Sequence, residues 1–259
     1  MNAAATALNP FDYEIKAVSH QRTNVRTWAI VNATSDPLTQ LATIYTPEEI
    51  GFIKRMLDAM FETYNTRRKE VMAVTSMQAL ERKILKGAGG ARDSEEGTQA
   101  DKGLSGTEAE ACLESLIKEG WFEKSREGFY TLSPRALMEL RNWLVETYND
   151  PDDPEEWQPI KFCEACRDIV TTGQRCSQPE CNVRLHDICD VYWNSRPDKK
   201  CPRCDTEWDG KVLVGQKVIT STDEYLRDKR RSGGISGRRA REEVEEEKEE
   251  EEDAEGEDE

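Results

Sequence analysis

Histidine is nearly absent from this chain: there are two in 259 residues, His20 and His186. Imidazole is the usual general acid–base group near neutral pH, so catalysis built on it has little material here. His186 stands in a row of cysteines, and His20 has no catalytic setting in the sequence around it. A run of about twenty apolar residues is also missing, so no membrane-spanning helix and no membrane partner are expected. The start, Met1 to Phe11, has no basic flank and no long apolar stretch, and does not read as a secretory leader. Positive charge is short as well, with 36 Lys and Arg against 52 Asp and Glu, a net −16. Most of that is local: Glu242 to Glu259 holds fourteen acids and one Lys, a net −13, which leaves −3 for residues 1–241.

What the chain does have is cysteine in one place. Seven of its eight cysteines fall between Cys163 and Cys204, in the order Cys163-x2-Cys166-x9-Cys176-x4-Cys181-x4-His186-x2-Cys189-x11-Cys201-x2-Cys204. Eight soft ligands make two tetrahedral sites, and thiolate with imidazole at such spacing selects zinc, with each sulfur at about 2.3 Å from its ion. Adjacent pairs sharing a metal would give two knuckles in series. Interleaved pairs would place Cys163, Cys166, His186 and Cys189 on a first zinc, and Cys176, Cys181, Cys201 and Cys204 on a second. The segments between ligands are poor in apolar residues, so rigidity must come from metal, and interleaving is expected. Structural zinc supplies about 10–16 kcal/mol of apparent binding energy per site in finger peptides. A disulfide framework is the alternative, but clustered cysteine with a His in the series, behind no secretory leader, reads as two zinc ions. All eight positions are filled, which leaves no open coordination for a catalytic metal.

Upstream, the pattern is that of a small mixed domain. Thr46-Pro47-Glu48-Glu49 is a helix start, and Ile50, Ile53, Leu57, Met60, Phe61 and Tyr64 follow at helical spacing. A second helix is expected from about Ser76 to Leu85, and Gly87 to Gly103 reads as a mobile loop. A third helix runs from Leu104 to Glu119, with Ala109, Cys112, Leu113, Leu116 and Ile117 on one face, which makes Cys112 a core residue. Gly120 ends it. Trp121–Lys124 and Phe129–Leu132 flank Ser125-Arg126-Glu127-Gly128 as a hairpin. Ser133-Pro134 then opens a last helix with Leu137, Leu140, Leu144 and Tyr148 along one side. Three helices, a hairpin and a helix are the layout of a winged helix. Its third helix carries Glu108, Glu110, Glu114 and Glu119 against Lys118, and an acidic helix repels the phosphate backbone. A protein partner is therefore expected, and direct DNA binding is not.

The expected class is α+β, in five parts. Residues 1–45 form an N-terminal hairpin, from Tyr13, Ile15 and Ala17 against Trp28-Ala29-Ile30-Val31, read as the remnant of a first winged helix that looks incomplete. Residues 46–148 are the winged-helix domain and 149–159 a linker, with two prolines and three Asp in its stretch from Asn149 to Pro154 that block a continuing helix. Residues 160–212 are the two-zinc, cross-braced module. There, Trp208 closes a small core, while Trp157 and Ile160 anchor it to the last helix. Residues 213–259 are a disordered tail, basic at Lys229-Arg230-Arg231 and Arg238-Arg239-Ala240-Arg241, then acidic. The basic stretch reads as a nuclear localisation signal.

The ligand order, four Cys, one His, three Cys, resembles both PHD fingers and a RING variant. Cys201-Pro202-Arg203-Cys204 is similar to the proline-bearing last pair of RING ubiquitin ligases. Trp193 lies four residues after Cys189, where many RING domains contact the ubiquitin-conjugating enzyme, and Lys199 stands where PHD fingers usually carry an aromatic. With the upstream region, Pro10 to Trp208 resembles the non-SMC element one family, the RING-like subunit of the SMC five/six chromosome complex. The resemblance implies a nuclear RING-type ubiquitin ligase acting in DNA repair, recombination and chromosome maintenance. Its winged helices would dock a MAGE-type subunit, with a kleisin-type subunit in the same assembly. Contacts to the conjugating enzyme would come from Ala165, Trp193, Pro202 and Arg203. No catalytic residue is implied, because such a module works by positioning. Two departures weaken activity: Ala165 replaces a larger aliphatic, and Asp205 takes the place of a base after the eighth ligand. A non-catalytic zinc scaffold and a PHD-like histone reader using Tyr192 and Trp193 are the other readings.

Overall fold

The computed structural model of the chain describes residues 2–32, 41, 44–87, 102–189, 191, 195 and 199–231. Most of the Gly87–Gly103 loop, Tyr192, Trp193, Arg238–Arg241 and the acidic run from Glu242 lie outside the described residues. The chain divides into two units after Val218; the second is described only to residue 231 and is helical over 223–231.

A short helix, α1 (Asn2–Leu8), leads into an antiparallel hairpin of β1 (Tyr13–Ser19) and β2 (Arg26–Asn32). Seven residue pairs are in register, from Tyr13 opposite Asn32 to Ser19 opposite Arg26. Side chains alternate across a strand, so Tyr13, Ile15, Ala17, Trp28 and Ile30 share one face; Tyr13, Trp28 and Ile30 are exposed on it. Val18 points the other way and is buried, where β1 packs on a helix of the next domain. His20 closes the turn: its Nδ1 accepts from the backbone N–H groups of Arg22 and Thr23, at 3.1 and 3.2 Å.

Caps fix the helix starts that follow. The Glu49 carboxylate accepts from Thr46 N–H at 2.8 Å while Thr46 Oγ1 accepts from Glu49 N–H at 3.3 Å, the reciprocal box that opens α2 (Pro47–Asp58). The same device, at Thr75 with Gln78 and Ser105 with Glu108, opens α3 (Ser76–Ala79) and α5 (Gly106–Lys118); between them lies α4 (Arg82–Lys86). The expected single helix from Ser76 to Leu85 is thus two. Glu81 is extended between them, and Arg55 satisfies the loose end, donating to the carbonyls of Ile84 at 2.6 Å and Leu85 at 3.0 Å. Strands β4 (Phe122–Lys124) and β5 (Phe129–Leu132) form the expected hairpin, and β3 (Val74–Thr75) adds to it in the order β3-β5-β4. The last helix is also divided, at Leu140, into α6 (Pro134–Glu139) and α7 (Arg141–Tyr148). Leu137, Leu140, Leu144 and Tyr148 stay buried across the break, so hydrophobic spacing does not reveal it. The core joins Phe52, Ile53, Met56 and Leu57 of α2 to Cys112, Leu113 and Leu116 of α5, and the outward side of α5 carries exposed Glu108, Glu110, Glu114 and Glu119.

Residues 149–159 are linker-like in composition yet tied down. Asn149 clasps Ile160 with its amide, accepting from Ile160 N–H at 2.8 Å and donating to Ile160 C=O at 2.9 Å. Buried Gln158 accepts from Asp150 N–H at 2.8 Å and donates to Asp153 C=O at 2.7 Å. Ile160 is buried, while Trp157 donates its indole N–H to Glu70 at 2.8 Å.

The cysteine-rich module is a three-stranded sheet, β7-β6-β8, made of β6 (Gly173–Arg175), β7 (Arg184–Leu185) and β8 (Leu213–Val214). Trp208 is buried with Ile169, Val170, Val183 and Leu185. The tail boundary at 213 is therefore corrected: Leu213 and Val214 pair with Gln174 and Gly173, followed by α8 (Lys217–Thr220). Two residues are too few for their alternation to show in sequence.

Leu113 is almost fully buried in the hydrophobic core. Leu113→Ala is expected to lower unfolding free energy by about 2–5 kcal/mol, measured by denaturant titration.

Candidate metal centres

Each terminal Cys-x2-Cys pair is held in the same turn. At the first, Cys163 N–H donates to Asp168 C=O at 2.8 Å and Arg167 N–H donates to Cys163 C=O at 2.9 Å. At the last, Cys201 N–H donates to Thr206 C=O at 2.8 Å and Asp205 N–H donates to Cys201 C=O at 3.0 Å. The residue after each pair, Arg167 or Asp205, sits in the left-handed region, at φ 64° and 54°. The turn points both sulfurs of a pair the same way, which is what a shared ion requires.

The eight ligands gather in two groups, Cys163, Cys166, His186 and Cys189, and Cys176, Cys181, Cys201 and Cys204, with the ligand atoms of each group within 4.8 Å of one another. First joins third and second joins fourth, so the pairs interleave. In the first group His186 Nδ1 lies 3.3 Å from Cys166 Sγ and 3.9 Å from Cys189 Sγ. In the second, Cys176 and Cys204 sulfurs are 3.4 Å apart and those of Cys181 and Cys201 3.6 Å.

The imidazole is oriented by its other nitrogen. His186 Nε2 lies 3.1 Å from Ile169 C=O, so Nε2 carries the proton and Nδ1 offers its lone pair to the sulfur cluster. That carbonyl is itself held. Gln21, from the turn between β1 and β2, donates to Ile169 C=O at 2.8 Å, and its Oε1 accepts from the N–H groups of Thr171 and Thr172 at 3.0 and 2.9 Å. A buried glutamine some 150 residues upstream of that loop thus supports the metal-facing histidine, and nothing in its sequence setting marks it.

Crowded sulfurs fit a cation. A hydrogen bond from Cys166 draws Cys163 down to about 3, whereas burial pushes Cys176 and Cys189 up to about 11. A dication that binds all of them as thiolates removes that conflict. The donor chemistry and the grouping by fours fit zinc, and each set could hold one ion. The eighth cysteine differs: Cys112 is buried in the winged-helix core, and burial, with the charge of Glu49, pushes its thiol up to about 12.

Of the expected contacts for a conjugating enzyme, Pro202 and Arg203 are exposed, and Arg203 is paired with Glu155. Ala165 is half-buried against the core, and Trp193 lies outside the described residues.

Native mass measurement is expected to find two zinc ions per chain. The double variant C163S/H186A should lose one, since both ligands serve one site, whereas C163S/C201S should lose both; serial pairing would not separate these. Lowering pH protonates the ligands and should release both ions.

A family model described as "Nse1 non-SMC component of SMC5-6 complex" matches residues 1–140, and one described as "RING-like domain" matches residues 163–204. "Non-structural maintenance of chromosomes element 1" of Schizosaccharomyces pombe is 26% identical over 216 residues, covering 83% of this chain and 78% of that protein. The homolog of Homo sapiens is 22% identical over 182 residues, covering 70% of this chain and 57% of that protein. A solved structure titled "Nse1-Nse3-Nse4 complex" aligns with a TM-score of 0.59 at 21% identity, over 82% of this chain and 78% of that one, a likeness of fold.

Proposed function

Because this chain belongs to the family of Nse1 non-SMC components of the SMC5-6 complex, we propose that it serves that complex as a RING-type ubiquitin ligase subunit with two structural zinc ions. The observation that carries the reading is the interleaved ligand arrangement with Pro202 and Arg203 exposed between the last two ligands. Zinc supplies rigidity there, not bond chemistry. The reaction is aminolysis of a thioester between ubiquitin and its conjugating enzyme. This chain contributes a docking surface that holds the thioester in a reactive pose, which is catalysis by positioning. Its side chains suit that role, since Cys112 is sealed in a core and His186 faces sulfur. His20 is engaged by its own turn and by Glu123 at 3.2 Å.

The proposed partners are a MAGE-type and a kleisin-type subunit, since the similar solved structure is titled as a complex of Nse1 with Nse3 and Nse4. The exposed apolar face of Tyr13, Trp28 and Ile30 and the acidic outer side of α5 favour protein over DNA as the winged-helix partner. The site of action is the nucleus, in DNA repair, recombination and chromosome maintenance, with Lys229-Arg230-Arg231 and Arg238–Arg241 as the localisation signal.

Activity depends on the partner in this reading. Ala165 offers little contact area, and Asp205 places an acid where a base would bridge ubiquitin and the conjugating enzyme. The same features favour, as a second reading, a scaffold that braces the complex without ligation. A histone reader of the PHD kind has less support, because Lys199 takes the place of the expected aromatic.

In a reconstituted assay the purified chain is expected to build little ubiquitin chain, and adding the MAGE-type subunit to raise it. Trp193→Ala should return ligation to background while co-purification with both partner subunits persists. Ligation that survives in Trp193→Ala would remove Trp193 from the docking surface, and none in any assembly would leave the scaffold reading standing.

A further inference from the structure

Glu70 lies in a loop of the winged-helix domain, closed by a bridge between Asn65 and Glu70, and is buried to 2% exposure. Its carboxylate faces three buried cations, all from the cysteine-rich half of the chain. Arg184 donates from Nε to Glu70 Oε2 at 2.7 Å and from Nη2 to Oε1. Arg175 and Lys161 each donate to Oε1 at 3.1 Å. Each of these cations is next to a metal ligand. Lys161 stands two residues before Cys163, Arg175 directly before Cys176, and Arg184 two before His186. Arg184 reaches further: its Nη1 donates to the carbonyls of Cys181 at 2.6 Å and Val183 at 2.7 Å, and its own carbonyl accepts from Glu164 N–H at 2.9 Å, inside the first knuckle. The backbone joins in, because Gly215 N–H, just past β8, donates to Glu70 C=O at 2.7 Å.

We propose that Glu70 is a positioning residue for both metal sites. Through one carboxylate the winged-helix domain sets the spacing of the loops that carry Cys163, Cys176, Cys181 and His186. It needs zinc to be bound but does not need ligase activity. Metal ligands are commonly held by outer partners whose loss weakens metal retention, and here those partners are gathered by a residue from another domain.

The test uses the full chain loaded with zinc and challenged with a chelator, with release followed by a colorimetric zinc indicator. Glu70→Gln keeps the shape and removes the charge, and should release both ions about tenfold faster or more. Glu70→Asp keeps the charge but is one methylene short, and should fall between. Leu113→Ala destabilises the winged-helix core away from Glu70, and should release zinc at the unmodified rate at temperatures below its unfolding. Unmodified release from Glu70→Gln overturns the proposal, as does equal release from Glu70→Gln and Leu113→Ala. If Glu70→Gln yields no folded chain, Glu70→Asp decides: faster release supports the assignment and unmodified release overturns it.

Discussion

One buried carboxylate against three buried cations is the constraint on which the main unit of this protein depends. Burial alone would raise the Glu70 pKa, but the hydrogen bonds and charge of Arg184, with the charge of Lys161 and the indole of Trp157, outweigh it and hold the carboxyl at about 2. Lys161 goes the other way. Burial lowers it first, Glu70 opposes that, and Arg184 and Arg175 repel it, so its ammonium falls to about 7. The two directions agree with the count: the acid is over-satisfied and the bases are not. Removing Glu70 from such a cluster costs about 3–5 kcal/mol, because the buried cations are left uncompensated. The surplus of positive charge has a counterpart nearby. A four-thiolate zinc site is formally a dianion and a three-thiolate site a monoanion, so with zinc bound the cluster and the metal sets offset one another.

From this joint the organisation of the unit follows. The module around the ligands has a sheet of two- and three-residue strands and few apolar side chains, so it borrows order from both neighbours. Glu70 fixes it from the winged-helix side. Gln21 fixes it from the hairpin side, through the carbonyl that orients His186. Asn149 and Gln158 turn the intervening segment into a strap. The inner side of the hairpin is used up in this packing, which leaves its outer face, with Tyr13, Trp28 and Ile30, as the apolar surface turned to solvent.

The sequence makes some of this legible for definite reasons. Ligand spacing is rigid chemistry, and the eight residues read as ligands are the eight the structure groups. The box at Thr46 announces a helix start because capping is local. The hairpin around Ser125–Gly128 is legible for the same reason. What stays hidden is set by tertiary contact. Glu70 closes the charged run Arg67-Arg68-Lys69-Glu70, which looks like a solvated loop. Gln21 sits in a polar turn. The breaks at Glu81 and Leu140 preserve hydrophobic spacing, and β3 and β8 are too short for any period to register.

Asp205 bears on whether the surface ligates or only braces. Its left-handed backbone gives one reason for an aspartate, since Asp enters that region more readily than most residues. That reason is insufficient, because Arg167 holds the same position after the first pair, at φ 64°, and a long basic side chain is accommodated there. The turn therefore tolerates a base, and the acid after the last pair is not imposed by backbone geometry. Its sign opposes a direct bridge to ubiquitin, whose role would then fall to a group outside this chain. In the proposed ligase reading, a rigid surface that lacks its basic bridge is one that a partner subunit would complete, which suits partner-dependent ligation better than autonomous activity.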